Sequence, residues 1–445
     1  MGRLEGEGSG ELTAVKVAPF RALRFQASRV GDLGSVWAPP YDVIDSQSAR
    51  ELRAGSPYNI VRITNPEGEG AERYLGAARL LRSWIAEGAL ARDPSPAFYV
   101  HRHNFNVKGD AHSRLGLWTL LRLAGFDERV VLPHEQTMKG PKEDRLALMR
   151  ACRAHLSPIF FICSDADGQI STLLRSLTAK EPVERTGFPP GEQHEIWQVV
   201  EPGDQEELAA LLSGQTFLIA DGHHRYETAL AYRDELSAAW TSREKSTIDY
   251  VLAYVVAEND PGLLLLPTHR TIAGEPLNWA AAALKASARF DIVRLDEESL
   301  DRARRELESE AGRPAFVLMA REQGGGWLMR LRGAGAGAVD TVSSVAFHVA
   351  FLSDCAGLSS ADQLERISYV KDPEAALQAV RSGAAQAAAL LAPPEVGQVR
   401  AAVISGERLP PKTTYFWPKV PTGIAMHAIE LPESVDAGRV PSGKV

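Results

Sequence analysis

Cysteine is scarce in this chain. Three occur among 445 residues, Cys152, Cys163 and Cys355, and none has CxxC spacing. That excludes a disulfide framework and a cysteine-built zinc site, and it fits a reducing compartment, so a cytoplasmic location is expected. Long apolar runs are also missing: Leu263 to Leu266 is only four residues, against the roughly 20 a membrane-spanning helix needs. No membrane partner is expected. Positive charge is in deficit, with a net charge of −8 and a pI near 5.8. A broad nucleic-acid footprint is therefore not expected, although a local basic pocket remains open. Residues 1–13 are rich in Gly and Glu and lack a signal-peptide core, and they read as a disordered leader.

What is present is ordinary in bulk. A hydrophobic share of 44% and a charged share of 24% are those of a globular protein. The length is too great for one simple core, so two or three domains are expected.

The most informative stretch is Thr216 to Leu230. Phe217-Leu218-Ile219-Ala220 reads as a buried strand, Asp221-Gly222 as a turn, and Tyr226, Ala229, Leu230 and Leu236 fall near helical spacing. A strand–turn–helix junction offers unpaired backbone N–H groups and the positive end of a helix dipole, which together suit a phosphate. Arg225 has the forked guanidinium that matches phosphate oxygens. Asp221 has the chemistry to hold a metal or to orient a histidine. The bland account is a helix start with two surface histidines, but His223 and His224 are adjacent and cannot share one packed face.

Other loops share this composition of proline or glycine beside clustered charge. Pro39-Pro40 forces an extended backbone that presents Tyr41 and Asp42, and Asp45 or Ser46 reads as the cap of a following helix. Pro133 to Arg145 carries His134, Glu135, Thr137, Lys142 and Arg145, with a helix expected from Lys142 to Ala154. Pro267-Thr268-His269-Arg270 ends a second apolar run read as a buried strand. Leu409 to Lys419 is the last such loop, with Lys412 as its candidate. Each has a structural reading beside the functional one, as rigid packing, a turn, a solvated helical turn or a satisfied strand end.

Elsewhere Tyr58 to Ile63 reads as a strand and Tyr74 to Glu87 as an amphipathic helix stopped at Gly88. Phe98 to Phe105 and Arg114 to Leu123 read as a hairpin around Lys108-Gly109-Asp110. Tyr250 to Ala257 is apolar enough for a central strand. Gly333 to Ala338 loosely matches a dinucleotide fingerprint and reads better as a flexible link. His101 and His103, two apart on a strand, read as packed residues. A metal-centred alternative draws on His134, His194, His223 and His224, but it lacks the i, i+4 histidine spacing of a zinc helix.

Seven motifs in order resemble the DUF1015 family: Val-Ala-Pro-Phe-Arg (17–21), Pro-Pro-Tyr-Asp-Val-Ile (39–44), Pro-His-Glu-x-Thr (133–137), Gly-Pro-Lys-x-Asp-Arg (140–145), Asp-Gly-His-His-Arg-Tyr-Glu-Thr-Ala (221–229), Pro-Thr-His-Arg (267–270) and Pro-Pro-Lys-x-Thr-Tyr-Phe (410–416). The 221–229 motif is also similar to the nucleotide-binding motif of the ParB/sulfiredoxin superfamily, and the pair Pro133-His-Glu135 and Asp221-Gly-His-His-Arg225 is similar to free serine kinase. The resemblance implies an α+β fold with a ParB/sulfiredoxin-like core over 129–275, between α+β regions at 14–128 and 276–445. It implies a nucleotide-dependent kinase that phosphorylates a small hydroxyl metabolite, with L-serine as the best match and Mg²⁺ accompanying ATP or ADP. Glu135 would be the general base, and Asp221 would place Mg²⁺ or substrate, with His223 beside it in catalysis. Gly222, His224, Arg225, Lys142 and Arg145 would hold phosphates. Tyr41, Asp42, His134, Thr137, His269, Arg270 and Lys412 would meet substrate. A homodimer is left open. The alternatives are a metal-assisted phosphatase or hydrolase and a nucleotide-binding regulatory module.

Overall fold

Lys108 and Gly109 both take positive φ, 52° and 96°, the pair that a two-residue type I′ turn requires. They join the strands Phe98–Val107 and Asp110–Arg122, whose register runs without a break from Tyr99↔Trp118 to Val107↔Asp110. This expected hairpin is the middle of a nine-stranded sheet. On one side Asp110–Arg122 pairs with Tyr250–Ala257, followed by Ile159–Cys163, Phe217–Asp221 and Val131–Leu132. On the other side Phe98–Val107 pairs with Gln193–Val199 and then Glu184–Gly187, while Val17–Ala18 lies beside Leu120 and Leu121. Pairing is mixed, and helices intervene along the chain, so the fold is α+β as expected. The computed structural model describes residues 16–135, 139–237, 246–308, 313–321, 325–333, 338–407 and 409–430. The expected leader, Thr137 and most of the Gly333 to Ala338 link lie outside them.

The chain divides into two compact units. The first comprises Met1–Pro133, Thr137–Leu263 and Pro418–Val445, and the second His134–Gln136 and Leu264–Trp417. In the first unit the strand period of two sorts side chains onto two faces. Phe98, Val100, Leu117, Phe161, Phe217, Ile219 and Val255 share one apolar core with Tyr226 and Ala229 of the helix His223–Ser237. The alternate positions put Tyr99, His101, His103, Trp118, Phe160, His194 and Tyr254 on the other face, also buried.

The second unit is built on a wholly antiparallel sheet of six strands, in the order Phe290–Leu295, Gly325–Leu331, Ala315–Ala320, Ala387–Leu391, His269–Ile272 and Ile367–Val370. Both faces are buried. Phe316 and Leu318 pack with Trp279, Phe347 and Phe351, while Val317 and Met319 pack with Leu300, Ala303, Leu377 and Val380.

Two local expectations are corrected. Tyr58 to Ile63 is not a strand, because Val61–Thr64 is a helical turn. Asn59 decides this: its side chain accepts from the Val61 amide at 3.0 Å and donates to the Ser35 and Trp37 carbonyls. Such local bonding overrides β propensity. The Leu263 to Leu266 run forms only the strand Leu264–Leu265, which is half-buried rather than buried and pairs with Phe416–Trp417.

Phe161 has no exposed surface and meets the rings of Phe217 and Tyr226 edge-on, each at 6.0 Å. Phe161→Ala is expected to destabilise the first unit by about 3–5 kcal/mol in denaturant unfolding, the usual cost of emptying a packed aromatic site. A loss below about 1 kcal/mol would show that this core does not carry the unit.

Candidate functional site

The strand Phe217–Asp221 delivers Asp221 to the sheet end, where its pairing with Ile159–Cys163 shifts register between Ile219 and Asp221. An irregularity of this kind re-aims the side chains beyond it. Gly222 follows with φ of 99°, a region that disfavours any side chain. A Cβ there would also lie 3.0 Å from the Arg225 guanidinium. Glycine is needed twice over: to turn the chain, and to let Arg225 fold back. The Tyr226 amide bonds the Gly222 carbonyl at 2.9 Å, which opens the helix His223–Ser237 at this point.

Arg225 donates through Nη2 to Asp221 Oδ2 at 2.6 Å and through Nη1 to the Pro158 carbonyl. Lys419 donates through Nζ to Asp221 Oδ1. Burial alone would push the Asp221 carboxyl up, but Lys419, Arg225 and His223 outweigh it and bring it down to about 2. Asp221 is thus an ionised carboxylate with each oxygen accepting from a cation. As held here it fits the orientation of Arg225, and it does not fit a resident metal ion.

Arg225 also lines a small cleft of about 50 Å³ with Tyr41, Thr64, Arg145, Ser157 and Thr228 beside the apolar Leu148, Met149, Leu156 and Ile159. Arg145 lies 4.1 Å over the Tyr41 ring and donates to the Thr64 carbonyl at 2.7 Å. It also pairs with Asp144, which accepts from Arg73 at 2.5 Å and from the Tyr74 hydroxyl at 2.7 Å. Lys142 pairs at 2.7 Å with Glu227 on the helix that Asp221-Gly222 precedes. Asp42 is exposed on the 3₁₀ turn Tyr41–Val43. Of the expected residues, Tyr41, Arg145 and Arg225 therefore share one cleft, with Asp221 behind Arg225.

His134, Glu135, His269, Arg270 and Lys412 belong to the second unit. His134 Nε2 is 2.6 Å from the Thr414 hydroxyl. His269 accepts from the Leu391 amide through Nδ1 at 3.2 Å. Arg270 is buried and donates to the carbonyls of Thr268, Pro411 and Lys412, and burial pulls its guanidinium down to about 10. Its fork braces the 411–412 loop onto the strand His269–Ile272. Lys412 is exposed and left-handed, with φ of 55°.

Lys419 lies outside the expected site residues. The loop from Leu409 contains two Pro-Lys pairs, Pro411-Lys412 and Pro418-Lys419, and only the first falls in a family motif. The second pair was the available signal, but nothing local shows that it meets Asp221.

Asp221→Asn would leave the Lys419 and Arg225 charges without their shared counter-charge, a loss expected to cost about 3–5 kcal/mol. The Asp221 carboxyl is depressed in the folded state, so its contribution is full above the ordinary value near 3.8 and fades as pH falls toward about 2. Urea titrations between pH 5 and pH 2 are expected to show a steeper loss of stability in the natural protein than in Asp221→Asn. Parallel curves would remove the charge-pair account.

Comparison with known proteins gives shallow structural likenesses and one family. A conserved hypothetical protein from Pyrococcus furiosus is 16% identical with a TM-score of 0.32, covering 67% of this chain and 92% of its own. Free serine kinase in complex with AMP is 15% identical with a TM-score of 0.32, covering 64% and 83%. SbnI with a C-terminal truncation, from Staphylococcus aureus, is 11% identical with a TM-score of 0.34, covering 70% and 87%. Likenesses this shallow transfer neither an activity nor a ligand. Curated proteins give no match. The family described as "Protein of unknown function (DUF1015)" matches residues 17–345, well over half of the sequence, and the chain belongs to that family.

Proposed function

We propose that the first unit binds the phosphates of a nucleotide at the Asp221–Arg225 junction. On this reading the protein is a phosphotransferase acting on a small hydroxyl compound, with L-serine the first candidate. One observation carries it: Arg145 and Arg225 line the same cleft, which the helix His223–Ser237 borders through Arg225 and Thr228. Two guanidinium groups and a helix N-terminus are the donors that a phosphate chain needs, and they act most strongly where water is partly excluded. Asp221 keeps Arg225 from sampling other rotamers, and Gly222 adds no side chain over the helix start. The motif resemblance to free serine kinase supports the choice of nucleotide and acceptor. It also supports Glu135 as general base, a role proposed on the motif alone. Mg²⁺ enters this reading only as the counter-ion of ATP or ADP.

Calorimetry with ATP and ADP tests the binding step. Arg225→Lys keeps a cation for Asp221 but loses the fork, and it is expected to weaken nucleotide affinity at least tenfold while the circular dichroism spectrum is kept. Unchanged affinity would move the phosphates elsewhere. ³¹P NMR with nucleotide, Mg²⁺ and L-serine tests the transfer step. Product O-phosphoserine is expected, and Glu135→Gln is expected to keep nucleotide binding while turnover drops about two to four orders of magnitude. No transfer across a panel of hydroxyl metabolites would sink the kinase reading. Phosphate release from phosphoserine without nucleotide would replace it with a hydrolase.

A further inference from the structure

One end of the second unit's sheet has no part in the proposed function. The strands His269–Ile272, Ala387–Leu391 and Ala315–Ala320 are neighbours there, and Ile272 and Ala320 both stand opposite Ala387. Antiparallel pairing therefore brings the end of the first, the start of the second and the end of the third to one edge. The residues just beyond these strands line a cavity of about 210 Å³. Loops positioned by buried strands are where binding groups gather.

Gln386 fixes one wall. Its Nε2 donates to the carbonyls of Ala273, Gly274 and Glu275, and its Oε1 accepts from the Leu277 amide at 2.9 Å. Arg366 braces the same turn by donating to the carbonyls of Ala273 and Glu275. The rest of the wall is largely apolar, with Leu277, Trp279 and Ala385 in it. Trp279 is 3% exposed, and its indole N–H has no acceptor among the described residues. A buried donor left without an acceptor is costly.

Arg321 alone is charged among the described residues of the lining, so no carboxylate faces it there. It is exposed and has no ion pair among the described residues. Its guanidinium lies over Gly383, where φ is 83° and a Cβ would stand 2.8 Å from Nη1. Glycine is what lets the guanidinium lie at this wall.

We propose that this cavity binds a small monocarboxylate with a compact apolar body. The carboxylate takes the fork of Arg321, and the apolar body covers Leu277, Trp279 and Ala385. The volume exceeds the roughly 150 Å³ of an engineered apolar cavity that takes up benzene, so a ring or a branched chain fits together with its carboxylate. The guanidinium repels a metal cation. An α-amino acid is disfavoured as well, because its ammonium finds no carboxylate in the lining and loses its water.

Benzoate is the probe, titrated into the full chain and followed by the indole N–H signals in ¹H–¹⁵N spectra. Trp279→Phe identifies the Trp279 signal among the eight tryptophans. A saturable shift of that signal at millimolar benzoate is expected, with no shift from benzyl alcohol or inorganic phosphate. Arg321→Ala, at an exposed position, is expected to fold and to weaken benzoate affinity about 10–100-fold, the worth of a hydrogen-bonded charge. Ala384→Phe, also exposed and in the lining, obstructs the cavity and is expected to abolish the shift. The proposal is overturned by the absence of a saturable shift, by an equal response to benzyl alcohol or phosphate, or by unchanged benzoate affinity in a folded Arg321→Ala or Ala384→Phe protein.

Discussion

Burying a carboxylate costs several kcal/mol unless its charge is answered, and Asp221 is answered by Lys419 and Arg225. The arrangement of the candidate site follows from that need. Arg225 can reach Asp221 only because it lies four residues on, one turn into a helix, and because Gly222 leaves space for its guanidinium. The same guanidinium bonds the Pro158 carbonyl, which ties the helix start to the head of the strand Ile159–Cys163. A charge pair thus fixes a turn, the turn fixes a helix start, and an arginine is fixed on the wall of a cleft.

The first unit's sheet serves two purposes at once. One face is apolar and packs against the helix that carries Arg225, so the cleft's geometry rests on an ordinary hydrophobic core. The other face is buried but rich in imidazole, phenol and guanidinium groups. Buried polar groups need partners, and here they partner one another along the chain Tyr254, His101 and His194, and through the contact of His103 with Glu192.

Much of this was legible along the chain. The hairpin at Lys108-Gly109, the central strand Tyr250–Ala257, the Asp45 helix cap and the strand–turn–helix at Asp221 each follow from local rules of turn chemistry and periodicity. Tyr58 to Ile63 departs from its strand-like pattern because β propensity is a weak preference and the Asn59 side chain supplies a stronger local bond. The histidines at 101 and 103 read as packed residues because their spacing says only that they share a face. Their partners, His194 and Glu192, lie about ninety residues on and arrive through strand pairing.

By itself the sequence determined the α+β class, the family motifs and the strand–turn–helix junction from Asp221 to Arg225, because backbone dihedral preferences, helix starts and side-chain charge act over a few residues. Only the tertiary structure decided that Lys419 closes on Asp221, that Arg145 and Tyr41 share a cleft with Arg225, and that Arg270 braces a loop through backbone carbonyls. Those pairings join residues up to 198 positions apart. They are selected by which buried charge needs which counter-charge once the sheets have formed, and no local pattern encodes that.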